Sequence, residues 1–223
     1  MQVTRISPLL LANVPLLTPL TAAQREMLAA VTSCRAYKKG AVIADAGGQA
    51  RSLFIVAAGS AQTVLCDREG NELILSILDQ GDYFGELELL EGRCFSASLV
   101  ARQSCEVLIL GKREFSRCLE ENAQLALTVL RGMARRLREA DLRVGSLAMQ
   151  GVDARLAKFL LGEAQWVDGT RVVTSRYSKR DIARMIGASR ERVSRVMKDM
   201  QVRGLIEERG DSILLREQIL SLA

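Results

Sequence analysis

Ser189-Arg190-Glu191-Arg192-Val193-Ser194-Arg195-Val196-Met197-Lys198 decides how the chain is read. Taken as a helix, this stretch and the residues after it place Val193, Val196, Met197 and Met200 at i, i+3, i+4 and i+7, one apolar stripe. Glu191, Ser194, Arg195 and Lys198 fall on the opposite face, with Arg190 in the first turn at its flank. Ser189 can cap the helix by accepting from a free backbone N–H. The exposed face then carries long donors and one carboxylate near the N-terminus of a short helix. That set suits the DNA major groove, where Arg can bond guanine O6 and N7 together and Glu can accept from cytosine N4. Most charged helix faces are only solvated, so the residues upstream decide between the two readings.

Upstream runs Ser178-Lys179-Arg180-Asp181-Ile182-Ala183-Arg184-Met185-Ile186-Gly187-Ala188. Ser178 with Asp181 matches a helix-start pattern. Ile182, Ala183 and Ile186 form a short apolar face, and Gly187 ends it with a residue that enters the left-handed region freely. Two short helices joined by a glycine turn, the second one basic, predict a helix-turn-helix. Downstream, Gly204-Leu205-Ile206, then Glu207 to Ser212, then Ile213-Leu214-Leu215 predict a small hairpin around a Gly-Asp turn. The whole unit reads as a winged helix-turn-helix, with double-stranded DNA as its partner.

Composition agrees. The 223 residues leave room for two modest domains, and 48% hydrophobic content is ample for a core. Residues 1–110 hold 9 basic and 11 acidic side chains, residues 111–150 hold 8 and 5, and residues 151–223 hold 14 and 10. Positive charge therefore gathers where phosphate would be bound. No apolar run approaches the roughly 20 residues of a membrane span. Met1 to Leu20 carries Pro8, Pro15 and Pro19, a single cation at Arg5 and no continuous h-region, so it reads as an arm rather than a signal peptide. A cytoplasmic location is expected.

The sequence has no histidine, which removes histidine-ligated zinc or haem and imidazole catalysis. No GxGxxG, P-loop, GxSxG or metal-ligand spacing is present, so neither an enzyme nor a metal site is expected. Cys34, Cys66, Cys94, Cys105 and Cys118 form no CxxC pair and read as free thiols of a reducing compartment, buried or idle rather than sensory.

From about Cys34 to Leu110, short apolar runs alternate with turns such as Ala46-Gly47-Gly48, Ala58-Gly59-Ser60 and Gln80-Gly81-Asp82. That rhythm predicts a β-sandwich or β-roll. Asp82 to Leu90 interrupts it as a turn opening a short helix. Short helices are also predicted over residues 21–33 and Lys112 to Leu119. A long helix follows from about Asn122 to Met149. In it Ala126, Leu130, Met133, Leu137, Ala140, Val144 and Leu147 alternate in steps of four and three, the pattern of a two-stranded coiled coil. A helix packed on its own domain is the other reading; the narrow stripe and its charged flanks favour a homodimer seam. Gly151-Val152-Asp153 is the predicted hinge, and Ala154 to Trp166 the next helix, with short strands near Arg171 to Thr174.

The order β-roll, long helix, winged helix-turn-helix resembles the CRP/FNR family of bacterial transcription regulators over nearly the whole chain. Three stretches carry the resemblance: Gly81-Asp82-Tyr83-Phe84-Gly85-Glu86-Leu87, Met133-Ala134-Arg135-Arg136-Leu137, and Ile186 to Arg195. The resemblance implies an α+β chain. Residues 1–120 would be an arm and a cyclic-nucleotide-binding-like β-roll (a double-stranded β-helix), residues 121–150 a dimerisation helix and hinge, and residues 151–223 the DNA-binding domain. It implies that Arg190, Glu191 and Arg195 read bases, while Ser178, Lys179, Arg180, Ser189 and Lys198 hold backbone or neighbouring groups. It also implies RNA polymerase as a partner.

In the family's cyclic-AMP pattern, Gly-Glu-Leu is followed by an Arg-Ser-Ala or Arg-Thr-Ala strand start, whose arginine neutralises the cyclic phosphate. Here Gly85, Glu86, Leu87, Ser96 and Ala97 match, but Phe95 stands in the arginine's place. A buried phosphate without a partner cation is costly. Ala140 and Asp141 replace the polar pair that reaches the purine. Arg93, two residues before Phe95, would point the same way as Phe95 in an extended segment. Cyclic AMP is therefore not the expected effector; a cyclic dinucleotide, another small molecule or none remains open. No cysteine cluster near the N-terminus suggests the iron–sulfur version of the family. A ligand-sensing module acting on a partner protein is the alternative function, but such a module has no use for residues 178–215.

Overall fold

A computed structural model of the chain describes residues 6–174 and 177–222; Met1 to Arg5, with the arm's single cation, lie outside them. The chain divides into two compact units, Met1–Arg135 and Arg136–Ala223.

The first unit opens with α1 (Pro8–Ala12), a 3-10 turn (Pro15–Leu17) and α2 (Ala22–Val31). Helix α2 starts on a capping box, Thr21 accepting from the Gln24 N–H while the Gln24 side chain accepts from Thr21 N–H. Eight strands follow: β1 (Ser33–Tyr37), β2 (Val42–Ala44), β3 (Ser52–Ala58), β4 (Ala61–Cys66), β5 (Glu72–Leu78), β6 (Tyr83–Phe84), then, after α3 (Glu86–Glu91), β7 (Ser98–Ala101) and β8 (Cys105–Gly111). They form two antiparallel four-stranded sheets, ordered β1-β8-β3-β6 and β2-β7-β4-β5. Sequence neighbours are separated throughout the first sheet, while in the second only β4 and β5 are both consecutive and paired; turn glycines such as Gly59 and Gly81 with positive φ close the corners. Leu53, Ile55, Leu99, Leu108 and Leu110 are fully buried in the shared core.

The N-terminal segment differs from its sequence reading. It is not a free arm: Leu11, Leu16, Leu17 and Leu20 are buried in the roll's core. The prolines that break it into short turns leave its leucines free to pack. Helix α4 (Lys112–Glu121) buries Phe115 in the same core. Helix α5 (Ala123–Met149) starts where Asn122 Oδ1 accepts from Leu125 N–H at 3.0 Å, and it buries Leu125 and Val129 there too.

In the second unit α6 (Val152–Glu163) leads to β9 (Gln165–Val167) and β10 (Thr170–Thr174), then α7 (Lys179–Ile186), α8 (Arg190–Val202), β11 (Ile206–Arg209), β12 (Ser212–Leu215) and a 3-10 turn, Glu217–Leu222. The strands form one antiparallel sheet, β11-β12-β10-β9. Trp166 corrects the expected end of α6: the helix stops at Glu163, and Trp166 pairs with Arg171 as a strand residue. Its ring is exposed under the Arg171 guanidinium, 5.1 Å from the centroid, so helical periodicity could not place it.

Gly85 holds the turn between β6 and α3 with φ 98°. An added Cβ would lie 3.1 Å from both Phe95 Cε1 and the Ser52 carbonyl oxygen. Gly85→Ala should destabilise the chain by about 1–3 kcal/mol, from left-handed backbone and displaced packing. Urea unfolding followed by circular dichroism checks this; an unchanged midpoint would contradict it.

Candidate nucleic-acid interface and effector pocket

Helices α7 and α8 of the second unit are set by local chemistry. Ser178 Oγ accepts from Asp181 N–H at 3.1 Å, and the Asp181 carboxylate accepts from Ser178 N–H at 3.2 Å. Gly187, at φ 64°, ends α7 in the left-handed region. Ser189 Oγ then accepts from Arg192 N–H at 3.2 Å and starts α8. Ile182, Ala183 and Ile186 pack with Val193, Val196, Met197 and Met200 against Leu156, Leu160, Ile213 and Leu215. The stripe read from sequence is thus the buried face of α8.

Every nominated DNA-facing residue is exposed: Ser178, Lys179 and Arg180 at the start of α7, and Ser189, Arg190, Glu191, Ser194, Arg195 and Lys198 along α8. Among the described residues, Arg180, Arg190, Glu191, Arg195 and Lys198 form no ion pair, so their charges are free to meet a ligand. Lys179 differs: its Nζ lies 3.3 Å from Glu208 Oε1 on β11. Glu207 beside it accepts from Arg209 at 2.7 Å and from Arg216 at 3.0 Å. The hydrogen bond from Arg209, ahead of the contributions of Arg216, holds the Glu207 carboxyl below the usual carboxylate range.

The sequence missed Glu207 and Glu208 as parts of this surface, since a hairpin's partner across space leaves no local signal. It also missed Arg155, whose guanidinium donates to the Leu147 carbonyl at 3.3 Å and the Gly187 carbonyl at 3.2 Å. That residue ties the last turn of α5 to the turn that precedes α8.

In the roll, Gly85, Glu86, Phe95 and Ala97 are buried, while Leu87, Arg93 and Ser96 are exposed. Phe95 is stacked on Phe84, with centroids 5.3 Å apart, and lies 6.0 Å from Phe54. Arg93 does not share its direction. The Arg93 N–H bonds the Glu88 carbonyl at the end of α3, so the residue is not in an extended strand. Its side chain is 79% exposed and pairs with Glu91 at 3.6 Å.

Glu88, which the sequence did not single out, is buried in its place in α3. Its Oε1 accepts from Ser96 N–H at 3.2 Å and Ser96 hydroxyl at 2.7 Å. The donors at the start of this segment are therefore already occupied by an anion of the chain itself. An incoming phosphate would meet a buried carboxylate and three phenyl rings, with the nearby arginine turned to solvent.

The seven-residue stripe of α5 splits in two. Met133 is partly buried against the roll's core, and Ala126 is half-buried. Leu130, Leu137, Ala140, Val144 and Leu147 are exposed. The five cysteines are free thiols; burial, and Glu106 beside Cys34, push Cys34 up, and burial first pushes Cys105 and Cys118 up, so these three stay protonated near neutral pH.

Two family models match the chain, a cyclic nucleotide-binding domain over residues 34–122 and a Crp-like helix-turn-helix domain over residues 154–220. The cAMP-activated global transcriptional regulator CRP of Salmonella typhimurium is 32% identical over 183 residues, covering 80% of this chain and 87% of its own. The cAMP-activated global transcriptional regulator Vfr of Pseudomonas aeruginosa is 31% identical over 188 residues, covering 81% and 88%. The solved structure of CLP, a c-di-GMP responsive global regulator of Xanthomonas campestris, has the same fold, with TM-score 0.76, 24% identity and coverage of 87% of this chain and 99% of that one.

Proposed function

The chain belongs to the CRP/FNR family of transcription regulators, and from that premise we propose that it works as a homodimer on palindromic double-stranded DNA under an effector other than cyclic AMP. It is a regulator with a cyclic nucleotide-binding domain and a helix-turn-helix domain, not an enzyme. The observation that carries the DNA reading is the set Arg190, Glu191 and Arg195, exposed and without an ion pair among the described residues, on a helix rotationally fixed by its buried stripe. Arg190 and Arg195 read guanines and Glu191 a cytosine, while Ser178, Lys179, Arg180, Ser189, Ser194 and Lys198 face the backbone or flanking groups. Residues 1–120 serve as the effector-binding part, 121–150 as dimerisation helix and hinge, and 151–223 as the DNA-binding part. RNA polymerase is the further partner and the cytoplasm the location. Among the described residues no helix is long and apolar enough to cross a membrane.

Dimerisation is supported by the exposed stripe of Leu130, Leu137, Ala140, Val144 and Leu147, at coiled-coil spacing. A two-fold dimer reads half-sites about one helical turn, roughly 34 Å, apart. The relatives' names point to cyclic AMP or c-di-GMP. The residues here point away from cyclic AMP, since Phe95 is packed among rings and Glu88 holds Ser96's donors.

Three outcomes test the proposal. Leu137→Glu places two carboxylates in the seam and should yield monomers with weak operator binding; light scattering that still gave dimer mass would refute the seam. Selection from random DNA should return a palindrome for the wild type, and Glu191→Ala should relax one C·G position, losing on the order of 1–3 kcal/mol of discrimination. The same motif at the same stringency would show that Glu191 reads no base. Cyclic AMP should bind roughly two to four orders of magnitude more weakly than to a relative with the arginine, because an unpaired buried charge costs about 3–5 kcal/mol. Calorimetry on the wild type and Phe95→Arg checks this; micromolar or tighter binding that Arg93→Ala abolished would overturn it.

A further inference from the structure

Of the cations placed on the DNA-facing surface, Lys179 stands apart. Arg180, Arg190, Arg195 and Lys198 form no ion pair among the described residues, whereas Lys179 Nζ sits 3.3 Å from Glu208 Oε1. The pair joins two elements, the first turn of α7 and the first strand of the wing hairpin, β11. Glu208 lies opposite Ile213 in the hairpin's register, and Ile213 is buried in the unit's core, so β11 holds the carboxylate at a fixed distance from α7. Both partners are part-exposed, 44% for the lysine side chain and 35% for the glutamate. An ion pair that open to water is weak enough for a stronger anion to compete for the ammonium.

The wing around it is anionic. Ile206 to Leu215 holds Glu207, Glu208 and Asp211 against Arg209 alone. Glu207 spends its charge on Arg209 and on Arg216 beyond the strand. Glu208 is therefore the wing carboxylate committed to a cation of the helix-turn-helix itself.

We propose that Glu208 is an autoinhibitory residue: it holds the Lys179 ammonium on the protein and competes with the DNA backbone for it, setting affinity without reading sequence. The inference rests on the DNA-binding reading above. An ammonium already neutralised by a carboxylate releases few counterions when a phosphate approaches, so Lys179 adds little to binding while Glu208 is charged. Freed, it counts as one phosphate contact, which adds about 0.9 to the slope of log K against log salt for each protomer on DNA. The bases selected do not change, since phosphate contacts carry no direct sequence information.

The test uses the full-length protein on a random-sequence 30-base-pair duplex and on a duplex selected from a random pool, each titrated across salt. Glu208→Gln keeps size and removes the charge. It should tighten both complexes on the order of two- to fivefold per protomer and steepen the salt slope by about 0.9 per protomer, with the selected motif unchanged. Lys179→Ala alone should leave the slope nearly as it was. Adding Lys179→Ala to Glu208→Gln should return the slope to the wild-type value. Thermal melting of each variant confirms that the fold is kept, and Glu208→Ala gives the same readout if the glutamine variant melts early.

A slope unchanged by Glu208→Gln, with Lys179→Ala alone losing the full contact, would mean that phosphate already holds Lys179 and would overturn the inference. So would an undiminished Glu208→Gln effect in the Lys179→Ala background, because the carboxylate would then act by general repulsion. Wild-type protein that bound neither duplex would instead refute the DNA-binding reading, and this inference with it.

Discussion

The outward face of α8, proposed above to read DNA, depends on the burial of the opposite face. Val193 and Met200 are inaccessible to water and Met197 nearly so, against Leu156, Ile186 and Ile213. Burying such a side chain is worth about 1.5–3 kcal/mol, and several of them on one short helix fix its rotation about its axis. A helix fixed in rotation always turns the same residues outward. Arg190, Glu191, Arg195 and Lys198 therefore share a face because of what lies beneath them. Ser189's cap and the left-handed Gly187 fix where that helix begins, which sets the positions of the first-turn side chains.

The roll meets the opposite constraint, a charge problem in a dry interior. Glu86 and Glu88 are both buried, and a buried carboxylate must find hydrogen bonds. Glu88 finds them on Ser96. Where the family's cyclic-AMP pattern has an arginine, Phe95 closes an aromatic cluster with Phe84 and Phe54. The same segment that would need a net positive charge for a cyclic phosphate is apolar and anionic. Any effector suited to it has to bring a different charge, or contact the roll elsewhere.

The helix-turn-helix was legible because its determinants are local: Ser178 with Asp181, Gly187, and a four-residue stripe all lie within about two dozen positions. The strands of the roll were legible from turns, but not their order, since β1 pairs β8 and β3 pairs both β8 and β6 through contacts remote in sequence. The N-terminal segment misled for the same reason. Its prolines announce broken structure, while the burial of Leu11, Leu16 and Leu17 depends on sheets that come later. Trp166 followed a helical run and became a strand residue through its pairing with Arg171. Arg93 was placed beside Phe95 by the two-residue period of a strand, and the end of α3 removed that period. The N-terminal leucines were decided by partners remote in sequence, whereas Trp166 and Arg93 were decided by a strand pairing and a helix end five residues away that the periodic pattern did not announce.

Helix α5 shows how one helix serves two surfaces. Leu125 and Val129, spaced by four, are buried in the roll, so the helix's first half is held by its own unit. Leu130, Leu137, Val144 and Leu147 lie on a different line and stay between 45% and 66% exposed. Scattered exposed apolar residues need no explanation, but three leucines and a valine in steps of seven, seven and three form a continuous apolar strip. Arg131, Arg138 and Asp141 remain exposed along the same helix, so the strip is bordered by charge, as a coiled-coil seam is. A second copy of the same helix presents the same strip by symmetry, and two-fold pairing covers both at once. In the homodimer proposed above, that pairing would supply the two-fold axis that reading a palindrome requires.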